Sequence, residues 1–218
     1  MTLPPDSASR QRVLDVHTHP VVPDTWTPSV RCHVERANPE VASRASELSS
    51  PQVMLKMLHS QGVDQACVLA EETPSTTGMV KSDFVLEFTA ELDGLHAFVS
   101  LNPYLDSDLV GRLEALRAHG AVAGIKLLPS YQQFAPNDVL LYPLYARVQE
   151  LGLPVTFHTG TSRFPGTRLK FADPLLVDDV AVDFPDLVIL LAHCSRMRGG
   201  ASGTTLPPSW PPSTRTST

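Results

Sequence analysis

The sequence predicts an α/β chain in which short parallel strands alternate with helices and curl into a barrel, with about six of eight strands present. Three observations carry that expectation. Short apolar runs recur between amphipathic stretches of helical length, the pattern of consecutive βαβ units. Each run ends near a residue with chemical capability: His17 and His19, Glu71, Asn102, Lys126, His158 and His193, in chain order. In a closed parallel barrel all such ends meet at one mouth, whereas an open sheet spreads them along an edge. Four histidines from three strands therefore favour the barrel.

The elements follow in order. A first strand is expected at about Val13 to His17. Residues 20–50 read as a long polar connection with little periodicity, followed by a helix at about Pro51 to Ser60. A second strand, Gln65 to Ala70, comes after Gly62, and a helix from about Val80 to Leu92 is stopped by Gly94. The third strand is about His96 to Leu101. The next helix runs from Asp106 to Ala118, capped by Asp106 or Ser107 and stopped at Gly120. A fourth strand spans Val122 to Leu127, and a helix from Asp138 to Leu151 ends at Gly152. The fifth strand is Pro154 to His158, a helix covers about Asp173 to Phe184, and the sixth strand is Leu187 to His193.

Composition narrows the class. With 218 residues, 42% hydrophobic and 18% charged, the chain has the material for one globular domain of ordinary core size. A net charge of −6 without any run of Lys or Arg argues against a nucleic-acid partner. No apolar segment is long enough to span a bilayer, so no membrane association is expected, and the N-terminus lacks the apolar centre of a secretory signal. The three cysteines, Cys32, Cys67 and Cys194, are widely spaced and form no C-x-x-C. Such a set points to a reducing compartment, the cytoplasm.

The run Asp15-Val16-His17-Thr18-His19-Pro20 has the form of a metal site on a strand. Residues two apart share a strand face, roughly 6–7 Å apart at Cα, so His17 and His19 can converge on one cation with Asp15 behind them. Neutral imidazole suits zinc, iron, nickel or copper. An ordinary pair of strand-end histidines is the other reading of these two residues alone.

Four motifs in order resemble the amidohydrolase superfamily: D-V-H-T-H-P at Asp15 to Pro20, G-I-K-L-L-P at Gly124 to Pro129, L-G-L-P-V-T-F-H-T-G at Leu151 to Gly160, and L-V-I-L-L-A-H at Leu187 to His193. The branch most resembled includes aminocarboxymuconate-semialdehyde decarboxylase with its hydrolase and hydratase relatives. The resemblance spans residues 13 to 193 and implies a TIM-type (β/α) barrel of the metal-dependent hydrolase kind. It implies that His17, His19 and His158 ligate one divalent metal, zinc first with manganese or iron as alternatives. It also implies that His193 polarises substrate or shuttles protons, and that Asp15 orients a ligand histidine. Lys126 has three readings: a partner for a substrate carboxylate or phosphate, a carbamylated bridge between metals as in other branches, or a counter-charge to Glu71. His158 and His193 each have a structural alternative, as an interior histidine bonded to a backbone carbonyl and as a packed strand end. Glu71, Asn102 and Arg163 are expected to serve loop structure.

The chain also departs from that family. A complete barrel has eight strands and typically about 250 residues, and its last strand supplies a metal-binding aspartate in this superfamily. Here residues 1–12 read as a disordered N-terminus and 13–193 as a partial barrel. Residues 194–218 read as a disordered tail, with Leu206 and Trp210 its only hydrophobic residues after Ala201. The tail is expected to be frameshifted, since out of frame Gly203 to Thr218 can encode an apolar helix, a proline-bearing turn and a strand start. The chain as written should have unpaired edges at strands one and six, and weak or no activity.

The leading functional expectation is a metal-dependent hydrolase or decarboxylase (a carbon–carbon lyase). It acts on a small carboxylated or carbonyl-bearing substrate, under a roof formed by residues 20–50 and the loop from Thr161 to Phe171. A non-catalytic fragment that binds metal or a partner chain, or completes its barrel as a homo-oligomer, is the reading from a different class. A metal-dependent nuclease or phosphoesterase is the third. Such enzymes tend to carry a glutamate where Lys126 stands, and the net negative charge does not suit their substrate.

Overall fold

The computed structural model describes residues 11–193. The expectations for the two chain ends, 1–12 and the frameshifted tail over 194–218, fall outside this range apart from residues 11 and 12.

The chain opens with strand β1 (Leu14–Thr18), then three short helices, α1 (Pro28–Ala37), α2 (Pro39–Ser43) and α3 (Ala45–Leu48). Helix α4 (Pro51–Ser60) leads to strand β2 (Gln65–Leu69) and to a small hairpin of β3 (Glu71–Thr73) and β4 (Gly78–Val80). Then follow α5 (Ser82–Ala90), β5 (Leu95–Ser100), α6 (Leu109–His119), β6 (Val122–Leu127) and α7 (Pro129–Gln132). The described chain closes with α8 (Tyr142–Glu150), β7 (Val155–His158), α9 (Leu175–Asp183) and β8 (Ile189–Ala192).

Six strands form one sheet in the order β1-β2-β5-β6-β7-β8, every neighbouring pair parallel. The order follows the chain without reversal, which is barrel topology; a doubly wound sheet would reverse direction at a switch point. Five strand spacings would set the edges of a flat sheet about 24 Å apart. Instead the ring of His17 at the end of β1 lies 4.9 Å from that of His193, which follows β8. The sheet therefore curls back on itself at the mouth, as an incomplete barrel.

Alternate residues divide between two apolar layers. On β2, Ala66 and Val68 join the large core under the helices, with Val99, Ile125, Leu127, Leu113, Leu144 and Tyr145. Cys67 and Leu69 instead pack with Phe98 inside the barrel. Burial on both faces explains why these strands read as continuous apolar runs. The edge strands are less covered: Leu14 and Val16 are 46% and 45% exposed, and Leu191 is 43% exposed.

Local chemistry sets the helix ends. Ser50 accepts the Val53 N–H and Pro51 occupies the first turn, starting α4 where the sequence places it. The α6 cap is a correction: Asp108, rather than Asp106 or Ser107, accepts the Gly111 N–H at 2.8 Å, and the helix begins at Leu109. Gly111 permits this cap, because a Cβ there would meet the Asp108 carboxylate at 2.3 Å. The 20–50 connection is a larger correction, since most of it is helical. Its helices are started by Pro28, Pro39 and the Asn38 side chain rather than by a long apolar stripe, so periodicity does not reveal them. The β3–β4 hairpin falls where the sequence offers only loop signals. The helix expected from Val80 starts after it, at Ser82.

Candidate metal centre

The C-terminal ends of β1, β7 and β8 bring the four histidines together. The β1–β2 register shifts between Asp15 and Thr18, twisting the strand end on which His17 and His19 sit. Asp15 accepts the main-chain N–H of His17 at 2.9 Å, so it holds the backbone of that histidine. The Nε2 atoms of His17 and His19 are 3.2 Å apart. His193 lies past β8 with φ 66°, a left-handed conformation that costs a non-glycine residue roughly 1 kcal/mol or more. Its ring centroid stands 4.9 Å from His17 and 4.7 Å from His158.

The donor set fits a divalent cation. Two nitrogens bound to one ion at about 2.05 Å and near-tetrahedral angles stand about 3.3 Å apart, close to the observed separation of the Nε2 pair. His158 Nε2 is buried with no hydrogen-bond partner. Among the described residues no three His, Cys, Asp or Glu side chains stand together at ligating geometry, so His158 completes the set only with a ring adjustment.

Electrostatics keep these rings neutral. Burial, then the Lys126 ammonium, pushes His17 and His19 down to about 3 and His158 to about 2; His193 is lowered for the same two reasons. A neutral imidazole is the ligating form. Lys126 is fully buried on β6, and burial lowers it to about 7 against the opposing pull of Glu71. Its Nζ has no hydrogen-bond partner, so it makes no close pair with Glu71. Its neighbours in register are Ser100 and Thr156, and Thr156 Oγ1 is equally unpartnered.

Beside the histidines lies a cavity of about 120 Å³ lined by His19, Trp26, Val30, Glu71, Val80 and Phe164. Its roof comes from α1 and the loop after β7, which meet where the His33 ring packs edge-on against Phe164 at 5.4 Å. Tyr131, from α7, packs edge-on against His158 at 4.7 Å, and burial raises its hydroxyl to about 12. Asn102 serves the loops, its side-chain amide donating to Glu72 O at 2.9 Å and its oxygen accepting the Tyr104 N–H. Arg163 is exposed. Sequence reasoning missed Trp26, Thr77 and Tyr131, which sit in segments without a motif, and gave Glu71 only a loop role.

A family model described as amidohydrolase matches residues 14–212. The chain belongs to the amidohydrolase family. This amidohydrolase has no match in a sequence search of curated proteins. Among solved structures, an uncharacterized TIM-barrel protein of Bordetella bronchiseptica is 22% identical with a TM-score of 0.66, the match covering 82% of this chain and 66% of that one. The 5-carboxyvanillate decarboxylase of Sphingomonas paucimobilis is 13% identical, TM-score 0.52, covering 83% and 67%. A dihydroxybenzoic acid decarboxylase of a Polaromonas species, solved with bound manganese and the inhibitor 2-nitroresorcinol, is 14% identical, TM-score 0.52, covering 83% and 64%. At these identities the likeness is one of fold, a TIM barrel. The chain spans less than two thirds of the length of the first and third of these proteins. Among the described residues no helix is long and apolar enough to cross a membrane.

Proposed function

We propose that this amidohydrolase is a metal-dependent hydrolase or decarboxylase acting on a small carboxylated or carbonyl-bearing substrate. The observation that carries the reading is the convergence of four neutral histidines from three strand ends, with the His17 and His19 Nε2 atoms 3.2 Å apart. His17, His19 and His158 hold a divalent cation, zinc or else manganese or iron. Such a cation supplies Lewis acidity and lowers the pKa of water bound to it.

The chain's own residues do the rest. His193, on the solvent side of the cluster, takes a proton from the attacking or departing group and returns it. Lys126, unpaired below the histidines, draws a substrate carboxylate into the mouth and binds it most strongly in its protonated form. Trp26, Val30, Val80 and Phe164 exclude water from the adjoining cavity, which strengthens these charge interactions.

A second reading, a non-catalytic chain that binds metal or a further copy of itself, draws on the exposed apolar residues of the edge strands β1 and β8. One experiment addresses both. Metal content is measured on purified protein and on His17→Ala/His19→Ala, followed by a panel of small carboxylates scored for carbon dioxide release and for hydrolysis. About one equivalent of metal, lost in the variant, together with turnover of a panel member supports the enzyme. Metal without turnover favours the second reading, and wild-type protein free of metal sinks both as metal sites.

A further inference from the structure

We infer that Gln133 is the positioning residue for the roof: it latches the loop after β7, residues 159–168, onto the end of α7 and thereby sets Phe164 against the cavity beside His19. That this cavity admits substrate rests on the function proposed above. The latch itself does not depend on it.

The backbone at Gln133 is one that glutamine disfavours. Gln133 follows the short helix α7 with φ 64° and ψ 37°, and its N–H donates to Pro129 O at 2.7 Å. A left-handed residue at a helix C-terminus is usually glycine, sometimes asparagine, because other side chains strain against their own backbone there. Such strain persists only where the surroundings hold the residue in place, and it clusters at functional positions. Among the described residues, Gln133 shares positive φ without being glycine only with His193.

Its partners come from two other mouth loops. From the loop after β5, the Tyr104 hydroxyl donates to Gln133 O at 3.1 Å. The side-chain amide meets the loop after β7 with both of its polar atoms. Nε2 donates to Gly166 O at 3.0 Å, and Oε1 accepts from Arg168 Nε at 3.1 Å. The Arg168 N–H donates to Ser130 O at 2.9 Å, a further stitch to α7. Gly166 in turn lies against the β3–β4 hairpin, where a Cβ would stand 3.4 Å from Ser75 O. Glycine at 133 would supply the turn with less strain, but not the two side-chain bonds.

The loop needs such a latch. From 159 to 168 it contains neither helix nor strand, and residues 163, 165, 166 and 168 are exposed. Yet the Phe164 ring packs edge-on against His33 at 5.4 Å and forms a wall of the cavity with Trp26 and Val30. Ordering a loop costs backbone entropy at every residue, and one half-buried ring offsets little of it. A single ordered side chain brings the loop down at 166 and again at 168, just beyond Phe164. Both bonds are solvent-exposed, so they decide where the loop sits more than how stable the fold is.

The test separates loop position from stability. Trp26 and Trp210 are the two tryptophans of the chain, so a Trp210→Phe background leaves Trp26 alone to report on the cavity wall. In metal-free protein on this background, acrylamide quenching of Trp26 should rise about twofold in Gln133→Gly and Gln133→Ala as the loop lifts. Gln133→Glu, which still accepts from Arg168 but cannot donate to Gly166, should fall between these and the parent. The urea midpoint of Gln133→Gly should match the parent, because glycine relieves the left-handed backbone while the exposed bonds are lost. Unchanged quenching in Gln133→Gly overturns the inference. So does a Gln133→Gly midpoint that falls in step with the rise in quenching, which would reduce Gln133 to a part of the turn's stability. Should Gln133→Ala not fold, Gln133→Gly and Gln133→Glu carry the test. Neither metal nor substrate enters the measurement, so a protein that binds no metal and turns nothing over leaves the latch standing.

Discussion

The lower and upper halves of the barrel interior differ sharply, and two residues of β6 mark the boundary. Gly124 lies in the lower half, where its missing side chain makes room for the Phe98 ring: a Cβ would sit 2.4 Å from Phe98 Cε1. Around it Cys67, Leu69 and Phe98 close an apolar plug. Two residues on, Lys126 begins the upper half, where Lys126 Nζ, Thr156 Oγ1 and His158 Nε2 are buried without partners. Apolar burial stabilises the first region, whereas the second holds unsatisfied polar groups that cost stability. Packing in the plug thus offsets part of the cost that the polar mouth carries.

Acid should separate the two halves most strongly. In the metal-free protein His17, His19 and His158 sit at about 3, 3 and 2, against 6.5 in the unfolded chain. The unfolded state therefore binds more protons between about pH 6.5 and 3, so stability falls as pH falls through that window. Urea midpoints measured from pH 8 to 4 should decline steadily and flatten in a His17→Gln/His158→Gln variant. A pH-independent midpoint contradicts the neutral-histidine mouth.

The plug is challenged next by Gly124→Ala, which should cost about 1–3 kcal/mol in chemical denaturation as the Phe98 ring is forced aside. Combining it with Phe98→Leu should recover part of the loss. An unchanged midpoint would mean that the lower half is looser than the packing indicates.

Lys126→Met tests the opposite sign in the upper half. Removing an unpaired buried amine should stabilise the fold by about 1 kcal/mol while raising KM for any carboxylate substrate. Destabilisation would show that the amine has a partner in solution. Away from the barrel interior, Asp108→Ala deletes the α6 cap and should cost about 1 kcal/mol in the same assay without altering metal uptake. A change in metal uptake would break the separation between scaffold and mouth.

Much of this was legible in residues alone. The stretches 124–127 and 155–158 are buried on both faces, so their apolar runs announce the strands. The four histidines were legible because strand ends meet at one mouth in a parallel barrel, a consequence of topology rather than of any single contact. Asp15 was read as orienting a ligand histidine; the structure adds that its carboxylate accepts the main-chain N–H of His17, a contact that a side chain two residues back reaches readily. Glu71 could be placed at a strand end but not beside His19, because the two meet only through the β1–β2 neighbourhood and the hairpin.

The sequence by itself determined the βαβ succession, the strand ends that carry chemistry and the family, because these depend on local periodicity and on motifs in order. Only the tertiary structure decided the helical nature of 20–50, the cavity beside His19, the unpartnered state of Lys126 and the contacts from Gln133 to the roof. Those depend on which distant segments pack together, and packing between remote residues leaves no period or spacing in the chain.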